Sequence, residues 1–269
     1  MQTVTLNDGH QIPAIGYGTW RVRDEESEAL VIEALALGYR HIDTAMIYKN
    51  EDGVGKGIAN SGINREDIFV TTKLWITDQA DPEAALATSL RKLKLDYVDL
   101  YLIHWPAPSL NIYPSSWDGL IRLRDKGLAK SIGVSNFNPN HLEALKPSGV
   151  VPAVNQIEIH PSHQNTGVAE VNTAMGIRTE CYCPLGRGHY FDDPTLTEIA
   201  ATLGATPAQI ILAWHMSKGY IPLPKTVTPS RLKENLQAVD LHLPPDAQSA
   251  IDQIPQAPKI CGDPDDFAG

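Results

Sequence analysis

Short apolar, β-rich runs alternate along most of the chain with segments of helical period. The runs cover residues 14–18, 40–43, 68–72, 98–103, 131–134, 151–155, 177–181 and 220–223. Between them the spacing predicts a helix over 24–37, which opens on an acidic turn and stops at Gly38. Another begins at Asp81-Pro82, with proline at the first helical position, and runs to about Leu95. Further helices are predicted over 115–126, 138–145, 167–175, 194–203 and 231–239, and Thr206-Pro207-Ala208-Gln209 opens an extra one. Ahead of the first run, Asp8-Gly9 lies between two alternating segments and predicts a β-hairpin. Eight strands alternating with helices make a parallel α/β sheet, which a chain of 269 residues closes as a (β/α)8 TIM barrel, one domain over 1–269. An open doubly wound sheet is the rival arrangement.

Charge narrows the class of partner. Lys+Arg 22 against Asp+Glu 32 leaves a net charge of −10, which repels phosphate backbones and anionic lipid. No apolar run approaches the roughly 18 residues of a membrane helix. The start, Met1-Gln2-Thr3-Val4-Thr5, lacks the basic and apolar regions of a signal peptide. Three cysteines, an odd number in a chain with a large core, suit a reducing compartment. The expectation is a cytoplasmic monomer acting on a small molecule, with neither nucleic acid nor membrane as partner.

Barrels of this kind work at the C-terminal rim of their strands, and the residues ending successive runs are polar or amphipathic. They are Asp43, Lys73, His104, Ser135-Asn136, Gln156 with Glu158 just beyond, Tyr182 and Lys225. Singly, each has an ordinary explanation: a cross-strand salt bridge, a satisfied core histidine, a packing aromatic. Together, around a closed barrel, they would face one mouth. Tyr48 lies five residues past Asp43. A phenol, an ammonium, a carboxylate and an imidazole suit proton transfer to a developing alkoxide. An unperturbed tyrosine, with a pKa near 10, is a weak acid at neutral pH. Lys73 beside its oxygen is expected to lower that pKa, with Asp43 keeping Lys73 charged and aimed, and His104 binding a carbonyl oxygen.

A second cluster leaves the last run and enters a helix, from Pro224-Lys225-Thr226 to Glu234-Asn235. With Thr228 as the predicted cap, Pro229 in the first turn, and Lys225 and Arg231 nearby, it reads as an anion site. Trp20, Trp75 and Trp105 all follow strand ends and would make an aromatic substrate vestibule. Residues 259–269 either lean over the mouth or fray. Three signals are discounted. Gly53-Val54-Gly55-Lys56-Gly57 mimics a phosphate loop but follows no strand, so close helix packing explains it better. Cys181-Tyr182-Cys183 lacks further metal ligands, and strand geometry would put its thiols on one face with Tyr182 opposite. His160 and His163 read as an exposed loop rather than a metal pair.

The chain resembles the aldo-keto reductases, and most closely their bacterial 2,5-diketo-D-gluconic acid reductase branch. The resemblance rests on Gly38-Tyr39-Arg40-His41-Ile42-Asp43-Thr44-Ala45, Thr71-Thr72-Lys73-Leu74-Trp75, Asp99-Leu100-Tyr101-Leu102-Ile103-His104-Trp105-Pro106 and Ser131-Ile132-Gly133-Val134-Ser135-Asn136-Phe137. It continues through Pro152-Ala153-Val154-Asn155-Gln156-Ile157-Glu158, Pro184-Leu185-Gly186 and the segment from Pro224 to Asn235. It implies a (β/α)8 barrel whose bottom is closed by the N-terminal hairpin, binding NADPH across the rim without a Rossmann fingerprint. It implies Tyr48 as general acid, Lys73 and Asp43 as its tuning pair, and His104 as the residue orienting the carbonyl. Ser135, Asn136 and Gln156 match the carboxamide-holding positions, and Tyr182 the aromatic stacked on the nicotinamide. Leu185 and Gly186 match the loop over the pyrophosphate. Lys225, Thr226 and Arg231 match a 2′-phosphate clamp, and Glu234 and Asn235 the adenine contacts.

Four positions depart from the branch pattern. Tyr182 replaces a Trp, Trp20 replaces a Phe, Cys183 stands at a position of small residues, and Thr228 removes a cation from the phosphate clamp. The leading reading is an NADPH-dependent reductase of small dicarbonyls and sugar-derived keto compounds. The alternatives are a cofactor-binding regulatory module without turnover and a metal-dependent hydrolase using His104, His160 and His163.

Overall fold

The structure, a computed structural model, describes residues 1–267. The hairpin forms as expected: Thr3–Thr5 (β1) pairs antiparallel with Gln11–Pro13 (β2), and Gly9 turns the chain at φ 90°. The eight-stranded sheet is parallel throughout. Its strands are Tyr17–Gly18 (β3), His41–Asp43 (β4), Phe69–Leu74 (β5), Val98–Ile103 (β6), Ala129–Ser135 (β7), Val154–Glu158 (β8), Arg178–Tyr182 (β9) and Ile221–Pro222 (β10). Each strand pairs with its sequence neighbours. Closure comes from the Gly16 and Gly18 amides, which donate to the Pro222 and Pro224 carbonyls at 3.1 Å each. That closure excludes the open doubly wound arrangement.

Among the described residues ten helices follow the same alternation: Asp24–Leu37 (α1), Glu51–Asn60 (α2), Pro82–Leu93 (α3), Tyr113–Asp125 (α4), Pro139–Glu143 (α5), Thr166–Ala174 (α6), Pro194–Leu203 (α7), Pro207–Ser217 (α8), Pro229–Gln237 (α9) and Pro245–Asp252 (α10). Local chemistry sets several of their starts. Asp81 accepts from the Ala84 amide ahead of α3, and Thr206 and Gln209 form a reciprocal capping box on α8. α1 ends on the left-handed Gly38, as its sequence predicts. α10 was not among the predicted helices: its eight residues bury one apolar side chain, Ile251, too little for a periodic signal.

The glycines of α2 confirm the packing reading. A β-carbon at Gly53 would collide with the Asp24 carbonyl of α1, and one at Gly55 with the Leu93 carbonyl of α3. The three helices approach backbone to backbone. Thr228 corrects another expectation, since its side chain makes no capping hydrogen bond to α9. Instead the Thr228 amide donates to Thr226 Oγ1 at 3.0 Å, which leaves the Thr226 hydroxyl proton free to donate.

Alternation along the strands sorts side chains into the barrel or toward the helices. At the bottom of the barrel, Phe69, Leu100, Val154 and Ile221 pack with Leu6 and Ile12 of the hairpin. Asn7 Nδ2 donates to the Pro152 carbonyl at 2.9 Å, anchoring this plug. Outward-facing Val70, Tyr101, Ile103, Ile132 and Val134 belong to the larger core beneath the helices. Toward the top the interior turns polar, through His41, Thr71, Gln156 and Glu180 to Asp43, Lys73 and Ser135, all nearly sealed from solvent. Among the described residues no single helix is long and apolar enough to cross a membrane.

Candidate active site

Four neighbouring segments deliver the predicted proton-transfer residues. Asp43 ends β4, Lys73 is the fifth residue of β5, His104 follows β6, and Tyr48 closes a 3-10 turn at Met46–Tyr48. Lys73 Nζ lies 2.7 and 2.8 Å from the two Asp43 oxygens and 2.9 Å from the Thr44 carbonyl. It also reaches Tyr48 Oη at 3.5 Å. A fully buried ammonium is therefore met by acceptors on one side and a phenol on the other, the compensation such burial requires. Burial works against the Lys73 charge, but Asp43 and its hydrogen bonds outweigh it and hold the ammonium above its ordinary range.

Tyr48 departs from expectation. Burial raises the phenol's pKa above its ordinary value, and the opposing pull of Lys73 does not cancel this. At neutral pH the hydroxyl keeps its proton, with the Lys73 ammonium beside it. His104 is pushed well below the usual imidazole range, by burial first and by the Lys73 charge second, so it is neutral. Its ring stands edge-on between Tyr48 and Trp75, with centroids 5.7 and 5.2 Å away.

These groups open into a cavity of about 640 Å³. Trp20, Trp75 and Trp105 all line it, as the sequence predicted. The C-terminal segment leans over the mouth. Phe267 stacks on Trp105 at 4.1 Å, and the Ile260 and Cys261 amides donate to Glu158 at 2.6 and 2.9 Å. Burial opposes the charge of Glu158, yet His160 and these two amides draw its pKa down to about 2. Residues 268 and 269 of the predicted segment lie outside the described residues.

His160 corrects the exposed-loop reading. It is fully buried, with Nε2 3.1 Å from Glu158 Oε1, because that carboxylate needs a partner inside the fold. The thiols also separate. Cys181 packs into the core under α8, while Cys183 lines the cavity beside Tyr182. The strand stops at Tyr182, and Cys183 turns off at φ 51°, so alternation no longer applies there.

The predicted cofactor positions fall into two groups. Ser135, Asn136, Gln156 and Tyr182 form a bonded floor. Ser135 Oγ donates to the Gln156 carbonyl at 2.8 Å, and Asn136, at φ 64°, donates to the His104 carbonyl at 3.0 Å and to Ser135 Oγ at 3.1 Å. Tyr182 Oη donates to Asn136 Oδ1 at 2.7 Å. Leu185 lines the cavity, and Gly186 follows at φ 52° against Tyr190. The second group sits at the open rim: Lys225 and Arg231 are exposed, and Thr226 is buried. Glu234 accepts from Thr206 Oγ1 at 2.6 Å, and Asn235 is buried in α9.

The sequence reading missed Arg21 and Arg187, which line the same cavity and lie 4.3 and 5.4 Å from the Trp20 ring. Arg21 directly follows Trp20, so its place just beyond the first barrel strand was the available signal. Burial, helped by Arg21, lowers the Lys225 pKa.

A closed (β/α)8 barrel with an aspartate, a lysine, a tyrosine and a histidine at the C-terminal rim of neighbouring strands defines the class. The aldo/keto reductase family profile matches residues 14–256, and the chain belongs to that family. It is 45% identical over 269 residues to a protein named methylglyoxal reductase DkgA from Escherichia coli (strain K12), covering 99% of this chain and 98% of that one. It is also 45% identical over 267 residues to an aldo-keto reductase of Mycolicibacterium smegmatis, covering 98% of this chain and 97% of the relative. Among solved structures, an aldo/keto reductase from Brucella melitensis superimposes with a TM-score of 0.91 at 49% identity, covering 94% and 98% of the two chains. A mutant of Gox0644 in complex with NADPH superimposes with a TM-score of 0.94 at 42% identity, covering 98% and 97%.

Proposed function

We propose that this protein reduces small aldehydes and ketones, α-dicarbonyls foremost, with NADPH as hydride donor and Tyr48 as proton donor. The observation that carries the reading is Lys73 Nζ held between the Asp43 carboxylate and the Tyr48 hydroxyl at the floor of the cavity. The substrate class draws on the relative named methylglyoxal reductase, and the cofactor on the neighbour in complex with NADPH.

The residues present fit that cofactor. The side-chain oxygen of Gln156, Oε1, has no hydrogen-bond partner among the described residues and belongs to a cavity-lining side chain. Tyr182 lines the same cavity, and Arg21, Arg187 and Lys225 add positive charge to its lining. Gln156 would take the carboxamide with Asn136 and Ser135, Tyr182 would stack on the ring, and Leu185 and Gly186 would cover the pyrophosphate. Lys225, Thr226 and Arg231 would clamp the 2′-phosphate beside Glu234 and Asn235. When bound, NADPH supplies the hydride.

The protein's own part is to place and protonate the carbonyl. Neutral His104 donates a ring N–H to the carbonyl oxygen and aims it at Tyr48. As charge builds on that oxygen, Tyr48 passes its proton across. Lys73 stabilises the phenolate left behind, and Asp43 keeps Lys73 charged throughout. Trp20, Trp75, Trp105 and Phe267 wall the substrate from water. The test is NADPH oxidation, followed optically, on methylglyoxal and a panel of carbonyls. Tyr48→Phe should bind NADPH normally and turn over about 10²- to 10⁴-fold more slowly. Normal turnover by a folded, saturated Tyr48→Phe enzyme would refute the assignment.

A further inference from the structure

Glu180 is a buried carboxyl to which neither the resemblance nor the proton-transfer scheme assigns a role. The parallel register of β8 and β9 pairs it with Gln156, so both side chains enter the barrel interior side by side. Gln156 Nε2 lies 3.0 Å from Asp43 Oδ2 and 2.9 Å from Glu180 Oε2. An amide nitrogen carries two protons, and these two acceptors use both. The oxygen of the same side-chain amide, Oε1, is left without a partner among the described residues, on a side chain that lines the cavity. Asp43 is bound through both oxygens to Lys73, so turning the amide over would set the Gln156 oxygen against a carboxylate oxygen.

Glu180 itself is fully enclosed. Its other oxygen makes no hydrogen bond, and the nearest base, His41 Nε2, stands off at 3.8 Å and is within hydrogen-bond reach of Thr71 Oγ1 at 3.0 Å. Burial, and then the Asp43 charge, raise the Glu180 carboxyl to about 8, so at neutral pH it is an uncharged acid. Its carbonyl oxygen still accepts the Gln156 proton in that form. A hydrocarbon of equal size would fill this layer at lower cost in stability. What a hydrocarbon cannot do is hold the second amide proton.

We propose that Glu180 is a positioning residue for cofactor binding: with Asp43 it locks the Gln156 amide so that its carbonyl oxygen faces the cavity as an acceptor for the carboxamide N–H of the nicotinamide. The proposal rests on the reading that NADPH binds in this cavity. Without Glu180, one amide proton is orphaned, Gln156 is free to rotate, and the acceptor is no longer held in place.

The experiment compares NADP⁺ with its 3-acetylpyridine analogue, which has a methyl ketone in place of the carboxamide and so lacks the N–H. Binding is read by quenching of protein tryptophan fluorescence. Glu180→Leu should weaken NADP⁺ roughly fivefold to tenfold, the effect of one well-placed hydrogen bond. It should leave the analogue within twofold of wild type. Glu180→Gln, which keeps an acceptor oxygen, should restore NADP⁺ affinity. Glu180→Ala is the second variant if the leucine does not fold, and the same split is expected of it. Equal weakening of both ligands would mean a general structural role and would overturn the proposal, as would unchanged NADP⁺ affinity. Failure of the wild type to bind NADP⁺ at all would instead strike the function reading itself.

Discussion

The two halves of the barrel mouth are built on opposite plans. On the side of β4, β5 and β6, Asp43, Lys73 and His104 are buried, and Lys73 and Asp43 are closed into one bonded cluster. On the side of β10 and α9, Lys225 and Arg231 are exposed, and neither forms an ion pair among the described residues. The difference fits the function proposed above, in which each half stabilises a different charge. Charge developing on one substrate oxygen needs groups fixed beforehand in a medium that water cannot relax. A phosphate arriving from solution needs only accessible cations, which can reorganise around it and release water. The buried half carries a stability cost that the exposed half avoids.

Lys73→Met tests the contrast most severely. It should abolish measurable reduction and also destabilise the fold by about 3–5 kcal/mol, because Asp43 would be left buried without its partner. Thermal unfolding and single-turnover kinetics on the same preparation check both effects. If unfolding were unchanged, the cluster would not be under the load described.

The pH dependence of stability sharpens the comparison at intermediate size. Burial lowers His41 and His215 from 6.5 to about 3, so unfolding takes up protons between those values and stability falls as pH drops through that window. Glu180 is raised from 4.5 to about 8, so the folded state holds its proton longer, and stability falls as pH rises across that range. The two histidines, together with His104, His141 and His163, which burial shifts the same way, outweigh the one glutamate below pH 6.5, and above about pH 7 the glutamate dominates. Unfolding temperature should therefore peak near pH 7, with the change on either side worth on the order of a few kcal/mol. Glu180→Gln should flatten the alkaline side and steepen the acid side down to about pH 4.5, where Glu180 no longer opposes the histidines. A wild-type curve level from pH 5 to 8 would contradict these shifts.

At the exposed half the effects should be smallest and confined to binding. Lys225→Ala should raise the KM for NADPH about tenfold, leave kcat unchanged, and shift the unfolding temperature by less than about one degree. The loss should shrink as salt is added. A fall in kcat would mean that the rim also shapes the reacting end.

Much of this was legible in the chain. The alternation of apolar runs and helical periods is a local property, and it predicted the barrel, the bounds of α1 and α7, and the ring of polar strand ends. Asp43, Lys73, His104 and Tyr48 were visible because a strand end is where an apolar pattern breaks. The hairpin was legible too, since Asp8-Gly9 carries its own turn chemistry. What escaped depends on contacts between segments far apart in the chain. Glu180 sits mid-strand, two residues before the visible strand end, and acquires meaning only when β8 and β9 pair it with Gln156. The rise in the Tyr48 pKa depends on how much of the fold surrounds the phenol, which no spacing encodes. Arg21, Arg187 and Phe267 meet at the mouth only because three loops converge there. Periodicity and turn chemistry act through neighbouring residues, so they can be read from order alone. Burial, partner choice and protonation are sums over the packed molecule, and only the closed barrel determines them.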